Sequence, residues 1–410
     1  MSQANNQETV EQAEFRQYCR QWVSNNRPLP PPVAMPQAAI EIMTQEQLDY
    51  ARRWQRSAYE AGLVGCDYPV EYGGGGRRDC QRIANEELQA AETPFFPNII
   101  GLNMTAPMLY VHGTEEQKCS FLPGIFSADE IWCQGFSEPG AGSDLASLQT
   151  SAEKKGDQWL INGHKVWSSL AHLADRAILL TRTDKTTKHK GITYFVVPIK
   201  SGFGHGVTVR PLTKMTGEAG FNEILFENYL VDDSMRVDEV GKGWSVTQTT
   251  LLHERGAGSM VAPMAGSQRT GVVPVAAEDL IGLAKKSYRN GECSAQDPVM
   301  RDQIIQMMIR DDGIKLNARR ANVTALTDHP MRLQLQVKML GTEMKQDVSS
   351  LAMALEGNAS SLYVGDSHAP ENGRWPKAYM STFGTTIAGG SNEIQRNIIG
   401  EQVLGLPKTK

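Results

Sequence analysis

The sequence has no long apolar run, no excess of basic residues and few cysteines. No stretch of 18 consecutive apolar residues occurs among its 410 residues, so it predicts no transmembrane helix and no membrane insertion. Lysine and arginine number 41 against 46 acidic residues, a net charge of −5, which argues against a nucleic-acid-binding protein. The six cysteines are scattered without a Cys-x-x-Cys pair, which predicts free thiols in a reducing compartment and no metal site.

The N-terminal residues, MSQANNQETVEQAEF, are polar and acidic. They show neither the charged and then apolar plan of a signal peptide nor the arginine-rich character of a transit peptide. We therefore expect a cytoplasmic protein. Its length gives room for roughly two to three domains, with a composition typical of globular proteins.

The character of the sequence changes twice along the chain. Early segments such as EQAEFRQYCRQWVSNN and TQEQLDYARRWQRSAYEAGL space apolar residues three and four apart, which predicts helices. Short β-rich runs such as RAILLTRTD and GITYFVVPI follow without intervening helical segments, and long amphipathic segments then return. We predict an α+β multidomain protein with an N-terminal α-helical domain (1–130), a middle antiparallel β-barrel or sandwich domain (131–240) and a C-terminal four-helix bundle (241–410).

Three motifs could carry chemistry. The segment FSEPGAGSD (136–144) combines glycines, which allow close backbone approach, with hydroxyls and N–H groups that suit a heteroaromatic ring or an anion. Trp167, followed by two serines, could form the wall of a flat cofactor site. The segment IAGGSNEIQR (387–396) places a glycine pair before a helix start, which suits an anion or dipole. Taken alone, these motifs equally describe a glycine turn, a core tryptophan and a capped helix.

Together and in this order, the motifs resemble those of the acyl-CoA dehydrogenase flavoproteins, over residues 10–408. The strings FSEPGAGSD, WSS and GGSNEIQRNIIGEQVLGLP carry the resemblance. It implies FAD as cofactor and the α,β-dehydrogenation of an acyl-CoA thioester to the trans-2-enoyl-CoA, with a glutamate removing the α proton and FAD accepting the β hydride. It also implies a tetramer, of identical or different subunits, and an electron-transfer flavoprotein as electron acceptor.

The resemblance also assigns residues to the cofactor and the substrate. It implies FAD contacts by Phe136, Ser137, Gly142, Ser143, Trp167, Ser169, Ser391, Asn392 and Glu393. It implies acyl-CoA contacts by Ser143 and Arg255.

The catalytic base departs from the commonest family pattern. In the medium-chain type a glutamate precedes the closing helix, but the matching position here is Gly389. In the isovaleryl-CoA and long-chain types the glutamate lies on an earlier helix, immediately before an arginine, as in the segment LLHERG (251–256). We therefore predict that Glu254 is the base. Without the resemblance, Glu254 and Arg255 would be interpreted as an exposed charged pair.

The residues expected around the adenine half of FAD also differ from the family pattern. YRNGE (288–292) stands where many members have R-x-x-F-G, and NGRWP (372–376) where they have Q-x-x-G-G-x-G. Either the FAD cradle is altered, or the chain is one subunit of a heteromeric enzyme whose partner completes the site. These departures favour a bulky or branched acyl group. An acyl-CoA oxidase or a flavin monooxygenase of the same fold stays open as an alternative.

Overall fold

The computed structural model describes residues 8–36, 38–254, 275–289, 291–321, 323–329 and 332–408. The chain divides into two compact units, residues 1–271 and 272–410. No helix within the described ranges has both the length and the apolar character needed to cross a bilayer.

Helices form the N-terminal part of the first unit. They are α1 (Val10–Asn25), α2 (Gln45–Glu60), α3 (Gln81–Ala90), α4 (Ala106–His112) and α5 (Glu115–Ser127). Three of them begin with a capping box, in which Thr9, Thr44 or Thr114 bonds reciprocally with the glutamine three residues later. Helices α1 and α2 confirm the prediction made from apolar spacing.

The middle of the chain forms an eight-stranded sheet. Its strands are β1 (Trp132–Gly135), β2 (Ser151–Lys155), β3 (Gln158–Ser169), β4 (Arg176–Arg182), β5 (Ile192–Pro198), β6 (Val207–Leu212), β7 (Phe221–Asp232) and β8 (Arg236–Val237). The order is β6-β7-β3-β2-β4-β5-β8, with β1 beside β4. Most pairs are antiparallel, but β1 runs parallel to β4, and β2 meets β4 in parallel at one residue pair. The sheet is therefore mixed, because β1 follows a helix and no hairpin dictates its direction.

Strands β4 and β5 connect the sheet to the helices. Ile178 and Tyr194 pack into the core that the N-terminal helices contribute to. Leu179 and Phe195, which point to the other face, pack into a second core with residues of β3 and β7. Strands buried on both faces consist of continuous apolar runs, as RAILLTR does.

Helix α6 (Gly243–Glu254) follows the sheet and belongs to the first unit. The second unit contains α7 (Asp279–Lys286), the short strands β9 (Tyr288–Arg289) and β10 (Glu292–Cys293), α8 (Pro298–Arg320), α9 (Arg332–Glu356), α10 (Arg374–Thr385) and α11 (Asn392–Ile398). Buried residues of α7 to α10, including Met344, Val348 and Trp375, form its core. The predicted order of helical, β and helical regions is confirmed, while the boundaries at 130 and 240 stay predictions.

Candidate active site

Strand β3 carries a bulge near its end. The register with β7 shifts between Lys165 and Ser168, so that Val166 and Trp167 together oppose a single residue. Trp167 has a φ of +62°, in the left-handed region that a bulky side chain rarely adopts, and it is 58% exposed. Bulges often lie next to active sites and redirect a side chain there, and unusual backbone conformations cluster at functional sites.

The bulge lies against the segment FSEPGAGSD. The backbone N–H of Val166 donates to the carbonyl oxygen of Ser137 at 2.9 Å. Phe136 is buried, with its ring edge-on to that of Tyr194 at a centroid distance of 5.8 Å. The structure thus brings Phe136 and Ser137 next to the part of β3 that contains Trp167 and ends at Ser169.

The FSEPGAGSD segment forms a tight turn with an open side. Glu138 and Ala141 exchange backbone hydrogen bonds of 2.9 and 3.1 Å. Gly142 and Ser143, which follow, are exposed, and a Cβ atom added to Gly142 would meet no atom within 4 Å. In the neighbouring bulge, the hydroxyl of Ser168 is buried without a hydrogen-bond partner among the described residues. The turn therefore leaves room for a ligand beside Gly142.

A buried ion pair that sequence reasoning missed supports this turn. The Lys165 ammonium donates to Glu138 Oε1 at 2.7 Å and to the Phe136 carbonyl oxygen at 3.1 Å. The Glu138 carboxylate also accepts from the N–H groups of Gln149 at 2.7 Å and Thr150 at 2.8 Å. Burial opposes ionisation of Glu138, but Lys165 and these hydrogen bonds outweigh it and lower the pKa of the carboxyl. One sign of this pair was present in the sequence: Glu138 and Lys165 have opposite charges and stand in two neighbouring motifs.

The C-terminal motif IAGGSNEIQR (387–396) lies in the second unit. Its three predicted cofactor residues differ in burial and in hydrogen bonding. Ser391 caps α11 by accepting from the N–H three residues later. The Asn392 side chain is buried and bonded to α9, accepting from Lys338 at 3.0 Å and donating to Glu343 at 3.2 Å. Glu393 is exposed. The amide of Asn392 therefore joins two helices, whereas the Glu393 side chain remains accessible.

Gly389 and Gly390 have φ values of +68° and +90°, which favour glycine at both positions. Gln395 donates to the Gly389 carbonyl oxygen at 3.0 Å, and Lys338 donates to that of Gly390 at 2.7 Å. The backbone is therefore held in a shape that a glutamate at position 389 would strain.

Glu254 is the last described residue of α6 and is half-buried, whereas Arg255 lies outside the described residues. A hydrogen-bonded chain fastens this helix to the N-terminal helices. His112 Nε2 lies 2.8 Å from Thr249 Oγ1, five residues before Glu254, and His112 Nδ1 lies 3.2 Å from Asp238 Oδ2. The position of α6 is thus set by side chains of α4 and of the turn after β8.

The segment NGRWP plays a structural part in the second unit. Trp375 is fully buried in its core. Gly373 has a φ of +69°, and a Cβ atom there would lie 2.5 Å from the backbone nitrogen of Val364. Both residues of this segment therefore serve the packing of the second unit.

Comparison with known proteins identifies the family. Models of the acyl-CoA dehydrogenase N-terminal, middle and C-terminal domains match residues 9–129, 133–229 and 241–404. This chain belongs to the acyl-CoA dehydrogenase family. The enzyme class predicted from the motifs, an oxidoreductase, is thereby confirmed.

Curated relatives and solved structures agree with this assignment. Acyl-CoA dehydrogenase IpdE1 of Mycobacterium tuberculosis is 36% identical over 96% of this chain and 98% of its own length. FadE34 of the same organism is 32% identical over 93% of this chain and 49% of its own length. The Tcur3481-Tcur3483 steroid ACAD has 28% identity and a TM-score of 0.73, covering 98% of this chain and 99% of that one. The ChsE4-ChsE5 complex from Mycobacterium tuberculosis has 26% identity and a TM-score of 0.70, covering 99% and 100%.

The family implies FAD, and the residues of the first unit fit a flavin ring. A flat heteroaromatic ring with polar edges needs an aromatic or apolar wall together with hydrogen-bond donors. Trp167 offers an exposed indole, and the hydroxyl of Ser168 is buried without a partner among the described residues. Ser137 and Ser169 offer further hydroxyls beside the bulge.

Proposed function

We propose that this chain catalyses the FAD-dependent α,β-dehydrogenation of a bulky acyl-CoA thioester, with Glu254 as the catalytic base. The observation that carries the proposal is the bulge of β3, where an exposed Trp167 in a left-handed conformation lies beside the turn that begins at Ser137. Bulges often redirect a side chain next to an active site, and unusual backbone conformations cluster at functional sites.

In the first unit, the residues that would hold the cofactor are Phe136, Ser137, Gly142, Ser143, Trp167 and Ser169. For Ser391, Asn392 and Glu393, in the second unit, contact with FAD stays a prediction from the family motif. FAD, when bound, supplies a hydride acceptor. The chain's own contribution is to orient the ring through N–H and hydroxyl groups, and to cover it with the Trp167 indole, which excludes water.

Glu254 would take the α proton of the thioester. Two features support this role: the position that holds the base in other members is Gly389, and Glu254 ends a helix whose position is fixed by the His112 and Thr249 contact. A base must be held within hydrogen-bond reach of the proton that it removes. Arg255, next to it in sequence, would bind the acyl-CoA, for which its planar cation suits phosphate or carbonyl oxygens.

Two similar solved structures support a proposal for the substrate class and the assembly. A similar solved structure is described as a steroid ACAD, and another as a complex of two different chains, ChsE4 and ChsE5. We therefore propose a steroid-sized acyl group and a heterotetramer in which a partner subunit completes the adenine side of the FAD site. An electron-transfer flavoprotein would accept the electrons.

The first test is the visible absorption spectrum of the purified protein, alone and after co-expression with candidate partner chains. A flavin band should appear in at least one preparation. Under anaerobic conditions, a steroid-derived acyl-CoA should bleach the band faster than a straight-chain acyl-CoA does. Faster bleaching by straight-chain substrates would contradict the substrate proposal, and rapid peroxide release in air would favour an oxidase.

The second test is the variant Glu254→Gln, with Glu239→Gln as its control. Glu239 is an exposed acid of the turn before α6, so its loss removes the same charge without touching the proposed site. Removal of a general base should lower the rate of substrate-dependent bleaching by about 10³-fold or more while flavin stays bound. Wild-type bleaching by Glu254→Gln would refute the assignment of the base.

A further inference from the structure

Lys165 is a charged side chain in the interior of the first unit. It is one of the largest fully buried side chains of the described residues, with 0% exposure. Removing an ammonium from water is costly unless an anion and further acceptors replace the lost hydration. Burial accordingly lowers the pKa of Lys165 to about 8, although the nearby Glu138 carboxylate favours the charged form. A hydrophobic residue of similar volume would avoid this cost, so the ion pair is weak evidence for a stabilising role.

The contacts of Lys165 connect three parts of the sheet. From β3, its ammonium reaches the carbonyl oxygen of Phe136, just after β1, and the carboxylate of Glu138. That carboxylate in turn accepts from the N–H groups of Gln149 and Thr150, just before β2. The ion pair is therefore the common anchor of the segment 136–138 and the start of β2.

These contacts fix the orientation of one peptide unit. The carbonyl oxygen of Phe136 and the N–H of Ser137 belong to the same planar peptide and point in opposite directions. With the carbonyl bound to Lys165, the N–H of Ser137 must point away from the buried ammonium. The carbonyl oxygen of Ser137 is fixed as well, because the N–H of Val166 donates to it at 2.9 Å. The strand that carries Trp167 therefore holds the segment at two successive carbonyls.

We propose that Lys165 is a positioning residue of the flavin site: paired with Glu138, it holds the Phe136 carbonyl so that the N–H of Ser137 is presented to the flavin ring. This inference rests on the proposed FAD contacts of Phe136 and Ser137. A hydrogen-bond donor that is fixed before the ligand arrives costs no reorganisation when the ligand binds.

The test compares three variants of the full-length protein in the assembly that binds FAD. Lys165→Met removes the cation and leaves Glu138 unpaired, whereas Lys165→Met combined with Glu138→Gln removes both charges. Arg176→Met is the matched control: Arg176 donates to Glu130 at 2.8 Å at the opposite end of the paired strands β1 and β4. The measurements are the dissociation constant of FAD, the band shape of the bound flavin and the thermal unfolding temperature.

Lys165→Met should weaken FAD binding about 10-fold or more and alter the flavin band, whereas Arg176→Met should keep FAD affinity within about twofold. The double variant should regain thermal stability, because no buried charge is left unpaired, but should still bind FAD weakly. The FAD affinity of the double variant therefore tests the positioning role of Lys165 even where Lys165→Met does not fold. Wild-type FAD affinity in the double variant would overturn the proposal, since Lys165 would then only neutralise Glu138. Absence of FAD binding by the wild type in every assembly would instead refute the proposed function.

Discussion

Glu356, at the end of α9, carries a prediction about stability and pH. Both of its carboxylate oxygens are buried without a hydrogen-bond partner among the described residues. Burial, assisted by the nearby Glu371, raises the pKa of Glu356 from 4.5 to about 7. A negative charge at a helix C-terminus is also unfavourable, because the helix dipole is negative there.

The free energy of unfolding changes with pH wherever the folded and the unfolded chain bind different numbers of protons. Below pH 4.5 the carboxyl is protonated in both the folded and the unfolded chain and costs nothing. Between pH 4.5 and about 7 the unfolded chain releases the proton and the folded chain keeps it, so stability falls as pH rises. A pKa difference of about 2.5, at 1.36 kcal/mol per unit, amounts to a loss of about 3 kcal/mol above pH 7.

The test is the variant Glu356→Gln, whose side-chain amide does not titrate and therefore removes this pH dependence. Guanidinium unfolding followed by circular dichroism at pH 5 and pH 8 gives the free energy of unfolding of both proteins. The wild type should lose about 2 to 3 kcal/mol more than the variant between these pH values. Glu371→Gln should reduce that loss only in part, because burial is the main cause of the shift. Equal pH dependence of the wild type and Glu356→Gln would refute the reasoning.

Three further substitutions test other features of the structure. Gly389→Glu should destabilise the protein by about 1 to 2 kcal/mol, because its φ of +68° disfavours a side chain, and it should not restore substrate-dependent bleaching to Glu254→Gln. Asn392→Leu should lower the free energy of unfolding by about 2 to 4 kcal/mol, since it removes the buried hydrogen bonds that join α11 to α9. Gly163→Ala should lower the free energy of unfolding by about 1 to 3 kcal/mol, because its Cβ atom would lie 2.3 Å from Thr150 Oγ1. A lower thermal unfolding temperature would show this loss.

Much of the fold was predictable because its elements have regular patterns. Apolar spacing identified α1 and α2, and short β-rich runs identified β3 to β7. The four-residue strand β1 and its parallel pairing were missed, since a short strand has no periodicity to recognise and its direction depends on tertiary contacts.

The sequence indicated which residues belong to the candidate site, but not how they are arranged. The motif residues were recognised by resemblance, but the bulge that turns Trp167 outward depends on the register between β3 and β7, which no local pattern specifies. Lys165 was missed because a lysine in a strand is normally exposed, and only the fold places it beside Glu138. Similarly, the sequence alone does not indicate that Asn392 bonds to α9.

The hydrogen bonds of His112 link α4 to the helix that ends at the proposed base. His112 ends α4, and Thr249 lies on the same helix as Glu254, five residues before it. A displacement of α4 would therefore shift that helix or break the contact of 2.8 Å between His112 and Thr249. The Asp238 carboxylate restrains the same imidazole from the other side. The alignment of the proposed base therefore depends on the packing of the N-terminal helices as well as on its own helix.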